Sequence, residues 1–175
     1  HPLLMTRGVP GTHDYRTIYE FFKKVKNKKF SKFRLPKFDK SKDNRCRKKL
    51  WHKVNSRPDV IILEGWCVGA KAQKNSQIAK PINYLEKTND PNLVWRKYVN
   101  VQLKTYYKNL FQQIDEIIYL KANNFKILQK WRIKQEKTIW IKSKNRRNLR
   151  IMNRDDIINF MQTYQRITQS MFKDA

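Results

Sequence analysis

Three clusters of residues could do chemistry. The first is Arg7-Gly8-Val9-Pro10-Gly11-Thr12-His13-Asp14. A guanidinium can grip a carboxylate or a phosphate through two hydrogen bonds at once. The glycines let backbone approach a ligand, and either His13 or Asp14 can accept a proton from a substrate hydroxyl. The same residues also read as a β-turn feeding a helix N-cap. The second cluster is Leu35-Pro36-Lys37-Phe38-Asp39-Lys40-Ser41-Lys42-Asp43-Asn44-Arg45, which reads equally as a solvated basic loop. The third is Glu64-Gly65-Trp66, behind the apolar run Val60-Ile61-Ile62-Leu63. A carboxylate there can hold Mg²⁺ directly or through water while the metal neutralises phosphate charge; a strand-terminal surface Glu is the plainer alternative.

Elements must position these groups. Leu3, Leu4 and Met5 predict a short strand, closed by the turn at 7–11. Thr12-His13-Asp14 then predicts a helix start, followed by Ile18, Phe21, Phe22 and Val25 at helical spacing. Residues 26–57 are basic and irregular, with a short amphipathic helix over 46–54. Residues 59–65 predict a strand apolar on both faces, as a covered parallel strand requires. Residues 66–90 read as a loop. A helix opens at Pro91 with Trp95, Val99, Leu103, Tyr106 and Leu110 as its apolar stripe. A second buried strand is expected over 115–120, a basic helix over 125–141, a cationic turn over 142–150, and a last helix from Asn153. Asp155 and Asp156 sit in its first turn, where the helix dipole favours them. This alternation predicts a three-layer α/β fold with parallel strands.

Composition fits one domain. The 175 residues are 39% hydrophobic and 13% aromatic, too apolar for a disordered polycation. The longest apolar run is far short of the roughly 20 residues that span a bilayer. Cys46 and Cys67 form no metal motif and no disulfide framework, and no secretion signal opens the chain, so a reducing cytoplasm is the expectation. Lys and Arg number 40 against 14 Asp and Glu, a net charge of +26. That field attracts polyanions, nucleotides and nucleic acid alike. Because the cations are spread along the chain, charge alone does not choose among them.

Taken in order, Arg7 to Asp14, Pro36-Lys-Phe-Asp-Lys-Ser41 with Asp43-Asn-Arg45, and Glu64-Gly-Trp-Cys-Val-Gly69 resemble the bacterial and plant D-glycerate 3-kinase family. That family sits with P-loop kinases of the uridine kinase and phosphoribulokinase type. The likeness continues through Pro81-Ile-Asn-Tyr-Leu-Glu86, Trp95-Arg-Lys-Tyr-Val-Asn100, Trp131-Arg-Ile-Lys-Gln-Glu136 and Tyr164-Gln-Arg-Ile-Thr168. The resemblance implies ATP- and Mg²⁺-dependent phosphorylation of a hydroxyl on a small acid such as D-glycerate. It implies Asp14 as the catalytic base and Arg132 as a lid cation facing the transferred phosphoryl group. It makes Arg7, His13, Asp39, Lys40 and Arg45 acceptor-binding residues, and Glu64 the metal partner. One kinase-like domain over 1–175, with 125–152 as a lid region, follows.

The chain departs from the family in two respects. No Gly-x-x-x-x-Gly-Lys-[Ser/Thr] is present; the four glycines are at 8, 11, 65 and 69. The expectation is a fold incomplete at both ends, without its phosphate-cradling loop and a final strand, and therefore inactive as this chain alone. Where relatives carry Asp-Asp-Arg before a proline, this chain has Asp43-Asn44-Arg45-Cys46. The alternative function is a basic nucleic-acid-binding module, with aromatics such as Trp51, Trp66, Trp131 and Trp140 as stacking platforms.

Overall fold

Helices carry most of the architecture in the computed structural model, which describes residues 1–5, 7–27, 29–39, 44–142 and 152–174. Helix α1 (Tyr15–Lys26) begins where Asp14 caps it, the carboxylate accepting from the Thr17 N–H. It buries Phe21, Phe22 and Val25. The Phe21 ring lies 5.4 Å from that of Phe33, which ties α1 to strand β1 (Phe33–Leu35). That strand pairs antiparallel with β4 (His52–Val54), and β2 (Phe38–Asp39) pairs antiparallel with β3 (Asn44–Arg45). Three short or medium helices follow: α2 (Asn75–Ala79), α3 (Tyr84–Asn89) and α4 (Val94–Gln102). Helix α4 runs on through a π turn (Leu103–Tyr107) into α5 (Lys108–Phe111). The two long helices α6 (Phe125–Lys142) and α7 (Arg154–Asp174) close the order.

The core is built around α7. Val9, Cys67, Ala70, Trp95, Val99, Leu103 and Tyr107 pack with Ile167 and Met171 on one part of it, and Phe125 packs with Ile157 and Met161 on another. Ions are buried among these apolar groups. Arg166 of α7 grips Glu86 with two bonds, 2.7 and 2.6 Å, and also donates to the carbonyls of Gln77 and Lys80. Arg96 pairs with Asp90 at 2.8 Å and lies 3.8 Å from Glu86. Glu86 is completely buried. Such a network holds only if its charges balance and its donors are used.

Several sequence expectations are corrected here. Pro2–Leu4 is a 3₁₀ turn rather than a strand, capped by His1. The helix expected over 46–54 is a 3₁₀ turn (Lys48–Leu50) followed by β4. The expected loop at 66–90 contains α2 and α3, the latter started by the Asn83 side chain accepting from the Glu86 N–H. Helix α4 begins at Val94, after a turn whose Leu93 is left-handed (φ 63°), because Asp90 takes over the N–H groups of Trp95 and Arg96. Residues 59–65 and 115–120 carry no assigned strand, and every strand pair among the described residues is antiparallel. A strand exists only where a neighbour accepts its N–H and carbonyl groups, and neither segment has such a neighbour among the described residues. Side chains in the first still alternate, with Ile61 and Leu63 half-buried and Val60, Ile62 and Glu64 exposed.

Candidate active site

The turn at 7–14 is locked by its own residues. Thr12 Oγ1 accepts the Gly8 N–H at 2.8 Å and donates to the Val9 carbonyl at 2.7 Å. Gly11 has φ +98°, and a Cβ there would lie 2.6 Å from the Tyr98 ring, so only glycine fits. Trp66 Nε1 donates to the Gly8 carbonyl at 3.1 Å, joining the third sequence cluster to the first. The Tyr107 hydroxyl accepts the Gly11 N–H at 3.1 Å and lies 2.8 Å from His13 Nδ1. Burial first, then the Arg7 charge, hold the His13 pKa below its usual 6.5, outweighing a hydrogen bond to Gly8 that raises it. The neutral ring can therefore accept the Tyr107 proton at Nδ1.

Beside this turn opens a polar cavity of about 460 Å³, lined by Thr12, His13, Asp14, Arg16, Arg45 and residues of the α4 region. Asp14 Oδ2 accepts from Arg45 at 2.6 Å and from Thr17 Oγ1 at 2.8 Å. Its Oδ1 carries only a long 3.4 Å bond from the Thr17 N–H. One carboxylate oxygen is thus clamped and the other lightly engaged. A cationic wall, a carboxylate with a spare lone pair and a neutral imidazole can orient an anionic polyol and remove a hydroxyl proton.

Of the residues singled out from sequence, His13, Asp14 and Arg45 share this cavity. Arg7 is exposed outside it, its guanidinium 3.9 Å over the Phe38 ring. Asp39 lies in β2, opposite Asn44. Lys40 falls outside the described residues, as does most of the turn around it. Arg132 of α6 pairs with Glu136 and bonds Gln135 at 2.6 Å, while its Nε is buried without a partner among the described residues. Glu64 is exposed and outside the cavity lining. No group of three or more His, Cys, Asp or Glu side chains gathers to hold a metal among the described residues. Glu64 therefore fits only the single-carboxylate role that Mg²⁺ allows when phosphates and water supply the other ligands.

Sequence reasoning missed Tyr98, Gln102 and Tyr106, which line the cavity. Their spacing of four places them on one helical face, a signal the sequence did carry. Tyr106 was instead expected in the apolar stripe. The π turn at Leu103–Tyr107 shifts the register, so Tyr107 is buried and Tyr106 is 41% exposed.

Comparison with known proteins places this geometry in a class. A solved D-glycerate 3-kinase from Cryptococcus neoformans superposes with a TM-score of 0.75 at 24% identity, over 99% of this chain and 60% of that one. The fold is accordingly that of an α/β kinase. Among curated relatives, the uncharacterized kinase mug58 of Schizosaccharomyces pombe is 28% identical over 94% of this chain and 58% of its own. The chloroplastic D-glycerate 3-kinase of Arabidopsis thaliana is 27% identical over 77% of this chain and 28% of its own. The chain is similar to D-glycerate 3-kinases and to related kinases over most of its length. It spans less than two thirds of the length of each of these relatives. No family model matches it.

Proposed function

We propose that the chain forms the acceptor side of an ATP-dependent kinase that phosphorylates a hydroxyl of a small acid such as D-glycerate. The observation that carries this reading is the Asp14–Arg45 pair, 2.6 Å apart on the wall of a polar cavity large enough for such an acid. Arg45 and Arg16 hold the acceptor carboxylate, with His13, Asp39 and Lys40 shaping the surroundings. Asp14 Oδ1 takes the proton as the acceptor O–H bond breaks. The freed oxygen bonds the terminal phosphorus, and the bond from that phosphorus to the departing ADP oxygen breaks. Arg7 and Arg132 offset the charge of the transferred group, α6 acting as part of a lid over 125–152. Bound ATP with Mg²⁺ supplies the phosphoryl group, and Glu64 is the residue that would face the metal.

Because 1–175 contains no Gly-x-x-x-x-Gly-Lys, binding and turnover separate. Titration of D-glycerate into the purified chain, followed by NMR of the His13 and tyrosine ring signals, should show saturable binding. Arg45→Gln should weaken it at least about tenfold, the usual scale for a charge-assisted bond. Asp14→Asn should leave the chain folded, since Asn also caps helices. Mixed with ATP and D-glycerate, the wild-type chain should yield no phosphoglycerate. Absence of binding, or binding indifferent to Arg45→Gln, overturns the acceptor site; product formation by the isolated chain overturns its inactivity.

A further inference from the structure

Tyr107 ties the polar cavity to the core. Its ring is 3% exposed, packed with the main core and edge-on to Phe111 at 5.8 Å. Its hydroxyl reaches two residues of the cavity wall, Gly11 and His13, although Tyr107 does not itself line the cavity. The Gly11 N–H donates to that oxygen at 3.1 Å, and His13 Nδ1 lies 2.8 Å from it.

The direction of the second bond follows from the donors and acceptors present. A tyrosine hydroxyl has one proton to give, and a buried proton needs an acceptor inside the protein. Burial pushes the Tyr107 pKa up to about 12, so the proton stays on the oxygen. Gly11 supplies a donor, which leaves His13 Nδ1 as the one acceptor bonded to this hydroxyl among the described residues. Were Nδ1 protonated instead, two N–H groups would meet the same oxygen and the Tyr107 proton would be stranded. The neutral ring therefore has its Nδ1 lone pair engaged and its proton on Nε2.

We propose that Tyr107 is a positioning residue that holds His13 in the Nε2–H tautomer, so that His13 serves the cavity as a hydrogen-bond donor and Asp14 is the proton acceptor. This deepens the acceptor-site reading and rests on it. His13 and Asp14 are equal candidates for the base when taken by residue type. A phenol from the core decides between them, since an imidazole with one nitrogen engaged and the other protonated has no lone pair for a substrate proton. The other side chains lining the cavity are cations, hydroxyls and an amide, none of them a base at neutral pH.

The full chain, labelled with ¹⁵N-histidine and free of ligand, is read by long-range proton–nitrogen NMR at about pH 7.5, where a depressed histidine is neutral. His13→Gln assigns the His13 ring signals among the three histidines. The wild type should show a ring unprotonated at Nδ1 and protonated at Nε2, with the Tyr107 hydroxyl proton slow to exchange and close to that ring. Tyr107→Phe keeps the packed ring and should raise the share of the Nδ1–H form about tenfold, the scale of one hydrogen bond. A purely structural role would change stability and leave the tautomer ratio alone. An Nδ1–H form in the wild type, or one ratio shared by both proteins, overturns the proposal. If the variant folds poorly, the wild-type spectrum decides by itself. Failure of D-glycerate to bind would sink the acceptor site whatever the tautomer, whereas saturable binding with His13 protonated at Nδ1 would sink the role of Tyr107 alone.

Discussion

His13 shows how one residue can be legible and incompletely read. Its place beside Asp14 marks it for chemistry, but its state is set first by burial and then by Arg7 across the turn, and its hydrogen-bond partner Tyr107 comes from a distant part of the chain. No local pattern encodes those contacts. Because burial and the Arg7 charge depress its pKa in the fold, the folded state binds this proton more weakly than the unfolded chain does. The linkage sign follows: the effect is absent above the ordinary value of 6.5, and stability falls as pH drops through it, until the folded-state pKa is passed. Urea unfolding at about pH 7.5 and about pH 5.5 should show a larger loss for wild type than for His13→Gln. Arg7→Gln should also shrink the loss by removing one of the two causes. Equal losses in all three proteins would show that His13 titrates normally. Asp14 was easier to find, since a helix cap is written in consecutive residues, and Arg45 came from the resemblance carried by Asp43-Asn44-Arg45. Their meeting at 2.6 Å was not legible, because it depends on how the β2–β3 hairpin packs against the start of α1.

At the scale of elements, the motifs that carry the family likeness do different work. Glu86, Arg96 and Arg166 come from three of the matching stretches and form the buried ionic network of α3, α4 and α7, not a ligand site. Gln162 adds to the same seam, accepting from the Leu85 N–H and from Asn83. Glu86→Gln leaves Arg166 and Arg96 under-neutralised in the interior and should cost about 3–5 kcal/mol, read from denaturant midpoints. Arg166→Met should cost a similar amount by stranding Glu86. The double variant should lose less than the sum, because neither partner then remains buried alone. Strict additivity would mean that the two side chains do not depend on each other. The longer helices α1, α4, α6 and α7 were readable from apolar spacing, whereas the short α2 and α3 were not, and Tyr106 marks where a π turn broke that spacing.

At the scale of the whole molecule, the open question is what the extended segments 59–65 and 115–120 do in water. Sequence marked both as buried strands because of their apolar runs. In the structure Val60 is 76% exposed, Ile62 and Ile118 are 88%, and Leu120 is 91%. Their neighbours are partly packed: Ile61 and Leu63 are half-buried, Tyr119 lies against the main core, and Ile117, 52% exposed, rests beside Gly69. Both segments are thus anchored on one side and bare on the other, with backbone lacking ladder partners among the described residues. Apolar extended backbone in that state is a template for pairing with other chains. The +26 charge opposes this at low salt by mutual repulsion, and screening removes the opposition. The purified chain should therefore bind an apolar fluorescent dye and self-associate more as salt rises, seen by light scattering. Replacing Ile62 and Ile118 by Thr keeps β-branching while removing apolar surface, and should suppress both signals without lowering the unfolding midpoint. If scattering instead falls with salt, electrostatics rather than the bare segments governs association. If the double variant unfolds earlier, those side chains are packed in solution, and the strands read from the sequence form after all.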